Sequence, residues 1–352
     1  KQKQGRIAQL YKKGLLTALA HYRPVANLNK DFQIISSCIN DRIADVATAL
    51  TGTDQTGFTS GRYMYENSRK FDDSSHYARE VGIPSAKSCY DWAKAYDNVL
   101  LPFFFAVIDL MCGVPFGLVW EDLQGAMEAP PHEYVYKHSA PLTRWMQTLY
   151  HRHERCVSVN GTTTPWFYLE TSTPQGCISA PRLFVLFIEP LGILFRVNPD
   201  IHGITLPSGH CILSVRFADD TGMSMEEHPE PVPGMHEVKS VEAAIDDVEI
   251  FGAATGMVNN GLKGEGAWDG ILYDYDVAWE HGSFDNELTM HGEEARLPWK
   301  RKGVPIVLLG AMWGHGISAD DVWKKTANSM LVTMRMWSAA PLGLRARGDV
   351  AK

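Results

Sequence analysis

At 352 residues, with 45% hydrophobic and 21% charged side chains, the chain has ordinary globular composition and enough length for a large core with subdomains. Six scattered cysteines without a C-x-x-C pair exclude a zinc module and a disulfide framework; with no signal peptide they fit a reducing compartment, nuclear or cytoplasmic, rather than secretion. A net charge of −8 argues at first against a nucleic-acid partner, but the distribution reverses that argument. Residues 1–30 carry seven Lys or Arg and no acid, residues 322–352 six basic residues and one acid, and residues 219–250 ten acids and one Lys. Basic ends around an acidic middle suit a chain that grips phosphates at its edges and metal at its centre, although charge alone fits ordinary charged tails as well. The chain begins at Lys1 and stops at Lys352 inside a helical pattern, so it is expected to be a piece of a longer polypeptide.

In chain order, residues 29–50 place Ile34, Ile35, Ile39, Ile43, Val46 and Leu50 at helical spacing. The run 98–120 is apolar but holds two prolines and Asp109, which predicts a buried helix and a turn rather than a membrane span. Residues 120–140 look like a loop insertion, and 141–150 like a helix. "CVSVNG", 156–161, alternates and ends on the turn pair Asn160-Gly161, which predicts a hairpin. Residues 181–197 are apolar nearly all round, as in a buried helix. Residues 241–256 are amphipathic and stop at Gly256. Residues 264–304, rich in Gly and aromatics, read as a hairpin insertion. Helices mixed with antiparallel hairpins indicate an α+β protein.

The chemistry lies in "CILSVRFADDTGMSME", 211–226. A strand, a tight turn and a second strand would lift Asp219 and Asp220 to a hairpin tip. Two carboxylates there raise each other's pKa unless a cation sits between them, and Mg²⁺ accepts one or two carboxylates together with substrate phosphates. Asp-Asp alone is a weak signal, because Asp is a common turn former. A metal site needs a further acid.

"SCYDWAKAYDNV" (88–99) supplies Asp91 after a strand-like run, and "TSTPQGCISAPRLFVLFIEPL" (171–191) is a loop entering a buried helix. With F-A-D-D, in this order, these segments resemble the reverse transcriptase domain of LINE-type (non-LTR) retrotransposons. "HYRPVANLNKDFQIIS" (21–36) and "DQTGFTSGRYMYEN" (54–67) resemble the family's finger blocks. "TGMVNNGLK" (255–263) and "LLGAMWG" (308–314) resemble the blocks after the aspartates, and "MWSAAPLGLRARGDVAK" (336–352) the start of the thumb.

The resemblance implies a right-hand polymerase fold: fingers over 1–85, a palm with an antiparallel sheet over 86–318, part of 126–170 belonging with the fingers, and the start of the thumb over 319–352. It implies RNA-directed DNA synthesis, in which a primer 3′-hydroxyl attacks a dNTP with two Mg²⁺ ions, or Mn²⁺ in their place. An RNA template, a DNA primer and dNTPs are the implied partners, no membrane is involved, and the nicking endonuclease lies outside this piece.

By the same resemblance, Asp91 and Asp219 hold the metals, Asp220 supports them, and Asp97 closes the turn after the catalytic strand. Tyr96 would lie beneath the incoming sugar and exclude a 2′-hydroxyl; an ordinary core aromatic is the other reading. Gln175 and Gly176 would pack under the nucleotide. Lys263 would protonate the leaving pyrophosphate, or be a surface lysine. Arg23, Lys30 and Arg62 are candidates for gripping triphosphate or template. Rival readings are a degenerate or domesticated copy that binds nucleic acid without polymerising, a group II intron maturase, and an RNA-copying polymerase. His151, His153 and Cys156 show no fourth zinc ligand, and Trp92, Trp166, Tyr168 and Trp337 are candidates for base stacking or for core packing.

Overall fold

The computed structural model describes the chain except residues 1–3, 13–14, 16, 19–20, 131, 160, 229–237, 262, 276, 278, 280–296, 310, 315–323, 325–326, 329, 333–334 and 336–352. Most of the expected thumb therefore lies outside the described residues, as does Trp337.

Strands β1 (Gly5–Tyr11) and β2 (Tyr22–Leu28) form an antiparallel pair that leads into helix α1 (Lys30–Leu50). A loop joins it to α2 (Met64–Val81), which stops at Gly82 in the left-handed conformation. Strand β3 (Pro84–Tyr90) follows, then β4 (Trp92–Ala93), α3 (Leu101–Met111), α4 (Phe116–Glu128) and α5 (Pro141–Tyr150). Next come β5 (Glu154–Val159), β6 (Thr162–Thr163), β7 (Phe167–Tyr168) and α6 (Ala180–Val197). Short strands β8 (Ile204–Thr205) and β9 (Cys211–Ile212) precede the hairpin of β10 (Ser214–Phe217) and β11 (Asp220–Glu226). Helix α7 (Ser240–Thr255), β12 (Val258–Asn259), β13 (Glu265–Gly270), β14 (Trp299–Lys300), β15 (Ile306–Leu308) and β16 (Ala311–Trp313) complete the order.

Two five-stranded sheets carry the architecture. One runs β2-β1-β5-β6, with β7 paired to β5; the other runs β10-β11-β3-β13-β14. The second is antiparallel apart from β14, which lies parallel to β13. Residues 154–168 thus join the N-terminal sheet rather than the one that carries β3.

Helix α6 is the core's centre. Leu183, Phe184, Phe187, Ile188, Leu191 and Phe195 are all buried, as its nearly continuous apolar character requires. Phe187 packs edge-on to Phe103 and Phe251, tying α6 to α3 and α7. Among the described residues no helix is long and apolar enough to cross a membrane. The apolar run 98–120 is instead spent on α3, a turn at Cys112–Pro115 and the first turns of α4.

Three expectations need correction. Of the 120–140 stretch expected to be a loop insertion, residues 120–128 belong to helix α4; buried Asp122 accepts from Tyr134 Oη at 2.9 Å and from the Lys137 and His138 amides, folding the following segment back onto α4. Residues 265–270 are an interior strand of the second sheet, not part of an insertion. Helix α1 has the expected limits but a different buried face: Phe32, Ser36, Ile39, Ile43 and Ala47 point inward, while Ile34, Val46 and Leu50 are exposed. Ser36 faces inward because its hydroxyl meets Ser179 Oγ at 2.9 Å under the entry to α6.

Candidate active site

The register of the second sheet brings distant acids to one end. Phe217 pairs with Asp220, so Ala218 and Asp219 are the two-residue tip of the β10–β11 hairpin. Thr221 pairs with Tyr90 on β3. Asp220, one residue before Thr221, and Asp91, one residue after Tyr90, therefore leave the ladder side by side. Asp91 and Asp220 thus lie at the same end of the sheet, next to the hairpin tip.

Their electrostatics report the same proximity. Burial pushes the Asp219 carboxyl up, Asp91's charge adds to the rise, and Arg23 and Lys12 offset part of it. Burial, then Asp219 and Asp91, push Asp220 up to about 6, with Lys263 acting against them. Lys263 Nζ lies 2.9 Å from Asp91 Oδ2, and Asn260 Nδ2 donates to the same oxygen at 3.3 Å. The Asn260 amide also donates to the Asp91 carbonyl at 2.8 Å, so the segment after β12 fixes both ends of this aspartate.

Among the described residues no group of three or more His, Cys, Asp or Glu side chains is gathered closely enough to hold a metal ion by itself. A hard cation that also takes substrate phosphate and water needs only one or two carboxylates from the chain, and the donor set Asp91, Asp219 and Asp220 is of that chemistry.

Tyr96 lies in a 3₁₀ turn after β4. Its ring stacks on Phe184 with centroids 4.4 Å apart, and burial followed by Asp219's charge pushes its hydroxyl up. It is both a core-supported ring and a neighbour of the aspartates. Gln175 donates to Asp97 Oδ1 at 3.4 Å, and its carbonyl accepts the Ala26 amide at 2.7 Å. Gly176 has φ 116°, and a Cβ there would stand 2.4 Å from the Ala26 carbonyl oxygen. Only glycine lets this loop press against β2.

No family model matches the chain. A curated relative, the Transposon TX1 uncharacterized 149 kDa protein of Xenopus laevis, is 25% identical over 283 residues, which is 78% of this chain and 19% of that protein's length. A telomerase from Candida tropicalis, solved in complex with a TWJ fragment of telomeric RNA, shares the fold with a TM-score of 0.50 at 12% identity, over 76% of this chain and 41% of that one. The apo form truncated from its C-terminal domain gives 0.48 at 11% identity, over 76% and 50%. The chain has the right-hand polymerase fold that it shares with that telomerase, and over most of its length it is similar to a transposon protein.

Of the three predicted phosphate contacts, Arg62 has another occupation. Arg62 spends its guanidinium on backbone: Nη1 donates to the Gly52 and Gln55 carbonyls, and Nη2 to the Thr48 and Thr51 carbonyls. It closes the C-terminal end of α1, where helix carbonyls lack partners. Lys30 opens α1 and donates to Gln33 at 3.3 Å, exposed at the helix start. Arg23, exposed on β2, is the one of the three whose charge acts on Asp219. Trp92 is buried against Phe251, whereas Trp166 and Tyr168 are exposed.

Sequence reasoning passed over Lys12 and Asn260. Asn260 stands within the block "TGMVNNGLK", so its place beside Lys263 was a usable signal. Lys12 had none beyond the basic character of residues 1–30, because its electrostatic effect on Asp219 depends on how distant segments meet in the folded chain.

Proposed function

We propose that this domain is an RNA-directed DNA polymerase, transferring a nucleotide from a dNTP to a primer 3′-hydroxyl on an RNA template. The observation that carries the reading is the sheet register that sets Asp91 beside the Asp219-Asp220 pair, acids from two distant segments at one end of the sheet. The homology to a transposon protein and the fold shared with telomerase support it. The chain spans 19% of the transposon protein's length, so the target nick and the endonuclease belong to the proposal for a larger polypeptide.

Asp91 and Asp219 would hold Mg²⁺, or Mn²⁺, with Asp220 beside them. Two such ions, when bound, supply activation of the attacking oxygen and stabilisation of the leaving one. The chain's own groups do the rest. Arg23 and Lys12 add positive charge at the aspartate end, where a triphosphate would lie. Tyr96, held against Phe184, offers a ring edge beneath the sugar. The Gln175–Gly176 turn, pinned to Ala26, makes a fixed floor for the nucleotide. Lys263, already at Asp91, is placed to give a proton to departing pyrophosphate.

The test is primer extension on poly(rA)/oligo(dT) with Mg²⁺ and with Mn²⁺. Extension by the wild type that Asp219→Ala abolishes supports the polymerase. Template binding without extension sinks it in favour of a binding module.

A further inference from the structure

The tip of the β10–β11 hairpin is a poor turn on its own. A two-residue hairpin loop with positive φ at its first central residue alone favours Gly there, yet this one is Ala218-Asp219. Ala218 has φ 56°, a conformation a Cβ disfavours. Something outside the hairpin holds it.

That something is the loop between α1 and α2. Gln55, fully buried, accepts the Ala218 amide at Oε1 (2.9 Å) and donates from Nε2 to the Ala218 carbonyl (3.3 Å). One side-chain amide thus engages both backbone groups of the residue before Asp219. The same Oε1 also accepts the Gly57 amide at 2.9 Å. The loop is brought this close by glycine: a Cβ on Gly57 would stand 2.3 Å from the Ala218 nitrogen. It is anchored further back as well. The Arg216 amide donates to the Asp54 carbonyl, the Thr56 amide to the Arg216 carbonyl, and Arg62 donates to the Gln55 carbonyl. Asp54 itself pairs with buried Arg216 at 2.6 Å and with Arg196 of α6 at 2.9 Å. The amide that grips Ala218 is therefore rooted in the core.

We infer that Gln55 is a positioning residue for nucleotidyl transfer: it fixes the hairpin tip so that the Asp219 carboxylate points at Asp91. Gln55 touches neither substrate nor metal in this role and acts only through Ala218. The inference rests on the polymerase reading above. It separates Gln55 from a residue that merely stabilises the fold, because its loss should misplace one catalytic carboxylate while the nucleotide floor stays intact.

The test compares wild type, Gln55→Met and Gln55→Glu. Met keeps the length and removes every hydrogen bond; Glu keeps the acceptor and removes the donor to the Ala218 carbonyl. In the metal-free protein, hydrogen exchange over Phe217–Asp220 should quicken by about tenfold or more in Gln55→Met, while α6 stays protected. In primer extension its kcat should fall by about tenfold to a hundredfold, with KM for dTTP within about twofold of wild type and a higher half-saturating Mg²⁺ concentration. Gln55→Glu should fall between the two. Three outcomes overturn the inference alone: unchanged exchange at the hairpin, wild-type kcat, or a Gln55→Met that no longer melts cooperatively and so marks a fold determinant. A wild type that extends no primer overturns the polymerase reading, and this inference with it.

Discussion

Lys263 reaches Asp91 across 172 residues of chain, its Nζ 2.9 Å from Oδ2. The lysine side chain is 53% exposed and the aspartate 29%. Such a half-solvated pair contributes at most about 1 kcal/mol to stability, so a role in holding the fold and the proposed role in proton transfer predict different outcomes on its loss.

Lys263→Met should therefore separate the two. We expect a urea midpoint shifted by less than about 1 kcal/mol and a primer-extension rate reduced by about a hundredfold. Single-turnover kinetics beside equilibrium unfolding checks both. A large stability loss with an unchanged rate would make the lysine a structural partner of Asp91.

Gly176→Ala introduces a Cβ at φ 116° against the Ala26 carbonyl. The loop must leave β2 or keep a strained backbone, costing about 1–3 kcal/mol. Because Gln175 bonds to the same Ala26, KM for the nucleotide should rise more than kcat falls. Urea unfolding and steady-state extension measure the two effects.

Tyr96→Ala removes the ring stacked on Phe184 and should destabilise the domain by about 2–3 kcal/mol. Its incorporation of ribonucleotides should rise relative to deoxynucleotides, while Tyr96→Phe, which keeps the ring, should retain discrimination. If Tyr96→Ala discriminates as well as wild type, the ring is core packing alone.

Asp54 gives a pH dependence. Burial alone would raise its carboxyl, but Arg216's charge and hydrogen bond, Ser214's hydrogen bond and Arg196 outweigh burial and bring it down to about 2 from 3.8. A depressed carboxyl contributes stability that is complete above the unfolded value and lost as pH falls through the folded one. The contribution is about 2 kcal/mol, present above pH 4 and lost on going toward pH 2. Urea unfolding between pH 2.5 and 5 should show a steeper acid loss for wild type than for Asp54→Asn, and equal slopes would contradict the assignment.

Local patterns carried much of this protein. The apolar approach to Asp219-Asp220 predicted the hairpin, Gly256 ends α7 in the left-handed conformation, and the unbroken apolar character of 181–197 is that of buried α6. Periodicity misplaced the inward face of α1, because Ser36 turns inward to hydrogen-bond at Ser179, a choice made by the neighbour and not by hydropathy. Strand β13 read as insertion for a similar reason. Gly266 is glycine because a Cβ would meet the Trp299 ring at 2.3 Å, and Asp269 is buried where Ser75 donates to it and Lys87 and Arg79 pair with it. Such residues look like loop until their partners are known.

What the sequence determined by itself was which residue types are present and in what order: the acids, the glycines that permit close approach, and the apolar segments that must be buried. What only the tertiary structure decided was who meets whom. Asp91 and Asp220 come side by side through the pairing of β3 with β11, Arg62 is committed to the carbonyls of α1, and Gln55 reaches Ala218 across 163 residues. Hydrophobic pattern and turn chemistry act over a few residues, whereas register, ion pairing and side-chain hydrogen bonds act over ångströms between segments whose separation along the chain says nothing of their separation in space.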